Sequence, residues 1–120
     1  VKVVALPAES TVTAMSEFMK MKSPPTAIFT FKSYISLDAI EYLKKEFPEE
    51  LNKIDFAGFG NLPLFQYLHH KPLASIEENS YQMGFEAAQL IFRNINASLS
   101  EEKEALNHIK VPCRLVIHDS

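Results

Sequence analysis

Two hydrophobic rhythms alternate along this chain. Short runs rich in β-branched and aromatic residues occur at Val1–Leu6, Thr26–Phe31, Ile54–Phe59, Leu73–Ile76 and His108–His118, and each reads as a strand. Between them, apolar residues recur three and four positions apart, which puts them on one face of a helix. The first stripe is Val12, Met15, Phe18 and Met19, capped by Ser10 or Thr11 and closed by Ser23-Pro24-Pro25. The second is Ile35, Ala39, Ile40, Leu43 and Phe47, with Ser33 as its cap, Pro48 beyond its end, and Glu41, Lys44, Lys45 and Glu46 outside. The third is Met83, Ala87, Leu90, Ile91 and Ile95. Asn79 and Gln82 have the spacing of a capping box in front of it, and Gly84 and Ala88 allow it close packing. Leu62–Leu68 reads as a short helical piece and Asn96–Asn107 as a polar loop. Pro112 implies that the last strand is an edge or carries a bulge.

Strands that alternate with helices imply βαβ crossovers. The expected fold is therefore α/β: three layers, with a mainly parallel sheet and helices on both faces. Ligands of such sheets sit beyond the carboxyl ends of the strands. Those ends are Phe31–Ser33, Phe59–Asn61 and Ile76–Asn79. Gly58 and Gly60 frame Phe59 where the chain leaves the sheet, and glycine there permits positive φ or the close approach of another group.

Composition narrows the function classes. With 120 residues, the chain is one domain or a piece of one, and its abrupt opening on a strand without an initiator Met reads as a piece. A net charge of −3 argues against a nucleic-acid grip by this chain alone, because phosphates call for a basic face. No apolar run approaches the ~20 residues that span a bilayer. The single cysteine, Cys113, excludes an internal disulfide and reads as a small apolar strand residue.

The chemistry-bearing residue types form no catalytic pattern. There is no Gly-x-Gly-x-x-Gly, phosphate loop, Gly-x-Ser-x-Gly or Cys-x-x-Cys. His69 and His70 are adjacent, so they project in different directions and read as surface loop rather than as ligands of one metal. Glu49-Glu50 and Glu77-Glu78 read as solvated edges. The expectation is a protein that is not an enzyme and needs no cofactor or metal.

Six segments in order resemble one family. They are Pro25-Thr26-Ala27-Ile28-Phe29, Leu37-Asp38-Ala39-Ile40, Ile54-Asp55-Phe56-Ala57-Gly58-Phe59, Pro72-Leu73-Ala74-Ser75-Ile76, Met83-Gly84 with Ala87-Ala88 and Leu90-Ile91, and Val111-Pro112 with Leu115-Val116-Ile117 and Ser120. Together they are similar to the C-terminal part of the effector-binding, periplasmic-binding-protein-like domain of LacI/GalR transcription regulators. The resemblance implies residues 1–120 of a bacterial, cytoplasmic regulator that binds a small sugar or sugar derivative and dimerises through Ser33–Phe47 and the Asn61–Leu73 region. Operator DNA would be bound only by a headpiece outside this chain, and no membrane is involved. The helix at about 79–96 would belong with the other subdomain of the intact protein, leaving its stripe without its normal cover here. A periplasmic-type sugar-binding transport protein shares the fold and is the alternative.

The resemblance also selects site residues: Val12, Lys32, Ser33, Gly60, Asn61, Ser80 and Met83 match cleft-lining positions. Three of these depart from the family. Lys32-Ser33 stands where the family has Asn-Asp, and Gly60 stands where it has an acid that takes sugar hydroxyls. Lys32 either favours an anionic ligand, such as a sugar phosphate or sugar acid, or points to solvent.

Overall fold

A computed structural model describes residues 8–99 and 108–118. The expected strand at Val1–Leu6 and most of the expected loop at 96–107 lie outside these residues. The elements run α1 (Ala8–Met19), β1 (Ala27–Thr30), α2 (Ser33–Glu46), a 3-10 turn (Leu51–Lys53), β2 (Asp55–Phe59), a second 3-10 turn (Pro63–Tyr67), β3 (Ala74–Glu77), α3 (Ser80–Leu99) and β4 (Arg114–Ile117). The sheet order is β1-β2-β3-β4. β1 pairs with β2 and β2 with β3, both parallel. The His118 amide donates to the Leu73 carbonyl at 2.8 Å, which sets the end of β4 beside the start of β3, so β4 runs antiparallel at the edge. The fold is thus α/β with a mainly parallel sheet.

Two compact units divide the chain: Val1–Ile76 with Leu115–Ser120, and Glu77–Arg114. In the first, the core forms where α1 and α2 meet the β1–β2 pair. Met15, Ala39, Ile40, Leu43, Leu51, Ile54 and Phe56 are buried together, with Phe18, Met19, Ile28, Tyr42 and Phe47 packed around them. Leu43 is wholly enclosed, and burying such a side chain contributes about 1.5–3 kcal/mol. Phe29 and Phe31, which project from β1 opposite to Ile28 and Thr30, are exposed.

Several local expectations are corrected. α1 already runs from Ala8, so Thr11 lies inside it as a buried residue and neither Ser10 nor Thr11 caps it. The buried face of α1 is Thr11, Ala14 and Met15, which leaves Val12 exposed. Lys32, not Ser33, is the N-cap of α2, and its side chain makes no capping bond. α3 continues to Leu99, through the first residues of the expected loop, and β4 covers only four residues of His108–His118.

In the second unit, the capping box does not form. Asn79 has φ 54°, a left-handed conformation that turns its side chain away from the helix start. Its amide donates instead to the Pro112 carbonyl at 2.7 Å. Gln82 donates along α3 to Glu86 at 2.8 Å. Met83, Phe85, Ile91, Phe92 and Ile95 of α3 are all about half or more exposed, and a Cβ at Gly84 would meet nothing within 4 Å. The close packing expected at Gly84 is therefore not used here.

Candidate functional site

The carboxyl ends of β1 and β2 bring Lys32, Ser33, Gly60 and Asn61 into one neighbourhood, joined by a network of hydroxyls and backbone carbonyls. Ser33 is buried, and its hydroxyl donates to the Phe59 carbonyl at 3.0 Å and contacts the Gly60 carbonyl. The Gly60 amide donates to the Ile76 carbonyl at 2.9 Å, so the same turn is also held to β3. Gly60 itself has φ 100°, which a side chain would strain. A carboxylate-bearing residue at this position would need a different turn.

Beneath this turn lies a buried pair. The Thr30 hydroxyl donates to the Lys32 carbonyl at 2.9 Å, which commits its one proton. In the 2.6 Å contact between the Thr30 and Ser36 hydroxyls, Ser36 is then the donor. Gly58 faces this pair: a Cβ there would stand 2.8 Å from Thr30 Oγ1 and 3.0 Å from Ser36 Oγ. Glycine is required at 58 for close approach and at 60 for backbone conformation. Thr30, Ser36 and Gly58 underlie the candidate site, and periodicity does not single them out, because they meet only when β1, α2 and β2 are assembled.

The other predicted residues differ in exposure and in the unit they belong to. Lys32 is exposed at the start of α2, where the first helical amides and the helix dipole favour negative charge. Asn61 is half-buried just after the turn. Val12 stands on the exposed face of α1. Ser80 and Met83 are exposed at the start of α3, in the second unit. Of the seven residues, four are gathered within the first unit by the strand ends.

A different polar cluster occupies the other end of the strands. His118 Nε2 lies 2.8 Å from the hydroxyl of buried Ser75, and its ring meets Phe65 edge-on at 5.3 Å between centroids. Burial, and then the charge of Lys71, hold its pKa below the usual 6.5.

Residues 2–120 match the family model for a periplasmic binding protein-like domain. The chain belongs to this family. It is 29% identical over 110 residues to the HTH-type transcriptional repressor CytR of Escherichia coli, which covers 89% of this chain and 30% of the repressor. It is 38% identical over 60 residues to the xylose operon regulatory protein of Haemophilus influenzae, covering 50% of this chain and 15% of that protein. Among solved structures, a LacI transcriptional regulator from Bacillus cereus superposes with a TM-score of 0.76 at 26% identity, over 92% of this chain and 37% of that one. A protein of uncharacterised function from Actinobacillus succinogenes shares the fold, with a TM-score of 0.72 at 20% identity. The chain therefore spans about a third of its LacI-type relatives and corresponds to part of their effector-binding domain. These relatives are transcription regulators, not enzymes. Among the described residues, no helix is long and apolar enough to cross a membrane.

Proposed function

We propose that this chain is the effector-sensing and dimerising part of a cytoplasmic LacI-type regulator, and that its effector is a small, anionic sugar derivative. The observation that carries this reading is the pairing of Lys32 with Gly60 at the carboxyl ends of adjacent parallel strands. Lys32 supplies a cation beside a helix N-terminus, and Gly60 removes the carboxylate that would repel an anion there. Similarity over half the chain to a xylose operon regulator supports a sugar-derived ligand. The curated relatives favour a regulator over a transport protein.

Ser33 acts in this reading as a positioning residue, because its proton already goes to the Phe59 and Gly60 carbonyls. Val12 and Asn61 of the first unit, and Ser80 and Met83 of the second, are each taken as cleft residues that parts of the regulator outside this chain would complete. Those parts also cover the α3 stripe and supply the headpiece that binds operator DNA. Effector binding then biases the arrangement of the two subdomains and so the affinity for DNA. The dimer surface is α2 with the 61–73 region, where a groove of about 360 Å³ is lined by Leu37, Ile40, Leu64 and Leu68 and rimmed by Asp38, Glu41 and Lys44. Sedimentation of the intact protein checks the dimer.

The test of the effector is calorimetry on the intact regulator with a panel of sugar phosphates, sugar acids and neutral sugars. An anionic member is expected to bind, and Lys32→Ala is expected to weaken it at least about tenfold, the scale of one lost charge-assisted hydrogen bond. Unchanged affinity in Lys32→Ala, or binding confined to neutral sugars, would overturn the anionic assignment.

A further inference from the structure

A second cavity lies at the amino ends of β2 and β3, a strand's length from the Lys32–Gly60 turn. Its volume is about 230 Å³, and its polar lining is Asn52, Asp55, His69, His70, Lys71 and His118. Ile40, Leu51, Ile54, Phe56, Pro72 and Leu73 form its apolar walls. The chain order explains the gathering. Asp55 begins β2, the His69-His70-Lys71 run leads into β3, and the antiparallel β4 delivers His118 beside Leu73.

The lining holds one ammonium, Lys71, and one carboxylate, Asp55, and the two do not pair. Lys71 is half-buried and makes no ion pair with any carboxylate within 4 Å among the described residues. Burial first, and then the Lys71 charge, oppose protonation of the His118 ring. An anion placed beside this ammonium would gain a charge-assisted hydrogen bond. Donors suited to an anion surround it: the Lys71 ammonium, the Asn52 amide and the imidazole N–H groups of His69 and His70. His118 Nε2 is engaged with the Ser75 hydroxyl, so a ligand contact would use Nδ1, which donates in the charged ring and in the neutral tautomer where Ser75 is the donor. Asp55 is exposed and is the one carboxylate in the lining, so it opposes binding at the mouth or accepts from a ligand hydroxyl.

We infer that this cavity is a second ligand site, for a small anion bearing a phosphate or carboxylate group, with Lys71 as the counter-charge and His118 as a supporting donor. The site is independent of the effector reading, since it shares no residue with the Lys32–Gly60 turn. Its occupant locks the His69–Leu73 loop onto β4, and that loop also borders the groove beside α2.

Side-chain NMR of this 120-residue chain tests the inference, with inorganic phosphate and acetate as separate probes and chloride added to hold ionic strength constant. Phosphate is expected to shift the His118 ring signals saturably and to raise their titration midpoint by about half a unit or more, a threefold preference of the anion for the protonated ring. In Lys71→Gln the saturable response is expected to vanish, while the midpoint without anion rises because the repelling charge is gone. Lys71→Arg keeps the response, and Asp55→Asn tightens it severalfold, so the test survives if Lys71→Gln fails to fold. Saturation by both probes assigns the site to carboxylates as well as phosphates, and saturation by phosphate alone assigns it to phosphates. A linear, non-saturating shift, or one equal in Lys71→Gln and the parent chain, would overturn the site.

Discussion

Helices α2 and α3 carry apolar stripes of the same spacing, yet they stand in opposite surroundings. On α2, Ile35, Ala39, Ile40 and Leu43 are buried against α1 and the β1–β2 pair. On α3, Met83, Ile91 and Ile95 are 47%, 58% and 50% exposed, and Phe92 is exposed as well. A stripe states that a helix needs an apolar partner, but it does not say which chain segment supplies it. For α2 the partners lie within 30 residues on either side. For α3 they lie, in the proposed reading, in the two-thirds of the regulator that this chain does not span.

The sharpest way to break that contrast is to truncate the enclosed side of it. Leu43→Ala removes a fully buried side chain from the centre of the core. It is expected to cost about 2–5 kcal/mol of unfolding free energy, read from urea or guanidinium midpoints on this chain. A loss below about 1 kcal/mol, the level of an ordinary exposed site, would mean that α2 is not the helix around which the core is built.

A somewhat smaller loss is expected where α2 meets the strand ends. Gly58→Ala drives a methyl group against the Thr30 and Ser36 hydroxyls, and overpacking of this kind costs about 1–3 kcal/mol. Because the nearest obstacle is Thr30 Oγ1, the same substitution in a Thr30→Ala background is expected to cost less than the sum of the two single changes. Strict additivity in that cycle would show that the hydroxyl pair is not what keeps residue 58 bare.

These two positions also show what was legible in advance and why. The α2 core followed from periodicity, since the spacing of Ile35, Ala39, Ile40 and Leu43 names the buried face without reference to any partner. The place of Gly58 and Gly60 at a strand end pointed to what glycine permits there, and the structure divides the two uses, close approach at 58 and positive φ at 60. The polar details did not follow. Ser33 and Asn79 both have side chains suited to capping, but a cap competes with any other partner within reach. Ser33 found the Phe59 and Gly60 carbonyls, 26 and 27 residues away. Asn79 found Pro112, 33 residues away. His118 and Ser75 are 43 residues apart and meet only through the placement of β4 against β3, which no local pattern encodes.

Weaker again is the expected effect of pH at that pairing. His118 takes up a proton near pH 6.5 in the unfolded chain and only at lower pH when folded, because burial and Lys71 disfavour the charged ring. Above 6.5 both states are neutral and the native pairing is fully stable. As pH falls below 6.5, the unfolded chain binds the proton first, and stability is lost until the folded midpoint is passed. The loss is measured as the difference between parent and His118→Gln, a substitution that keeps a hydrogen-bonding partner for Ser75 but cannot titrate. Identical pH profiles for the two chains would remove His118 from the account.

The smallest expected effect tests the other half of the contrast. Ile91→Ser places a polar side chain on the exposed stripe of α3 and is expected to change the stability of this chain by no more than about 0.5 kcal/mol, as at an ordinary surface position. In the intact regulator the same change is expected to cost several times more, because there the stripe would be buried against the segment that covers it. The pair of measurements separates two explanations for an exposed stripe. If Ile91→Ser is silent in both proteins, α3 is a free surface whose apolar residues serve some other contact. If it destabilises this chain as severely as Leu43→Ala does, α3 already has a partner within residues 1–120, and the contrast between the two helices fails. A loss in the intact protein alone ties the exposed stripe to the length of chain that is missing around it.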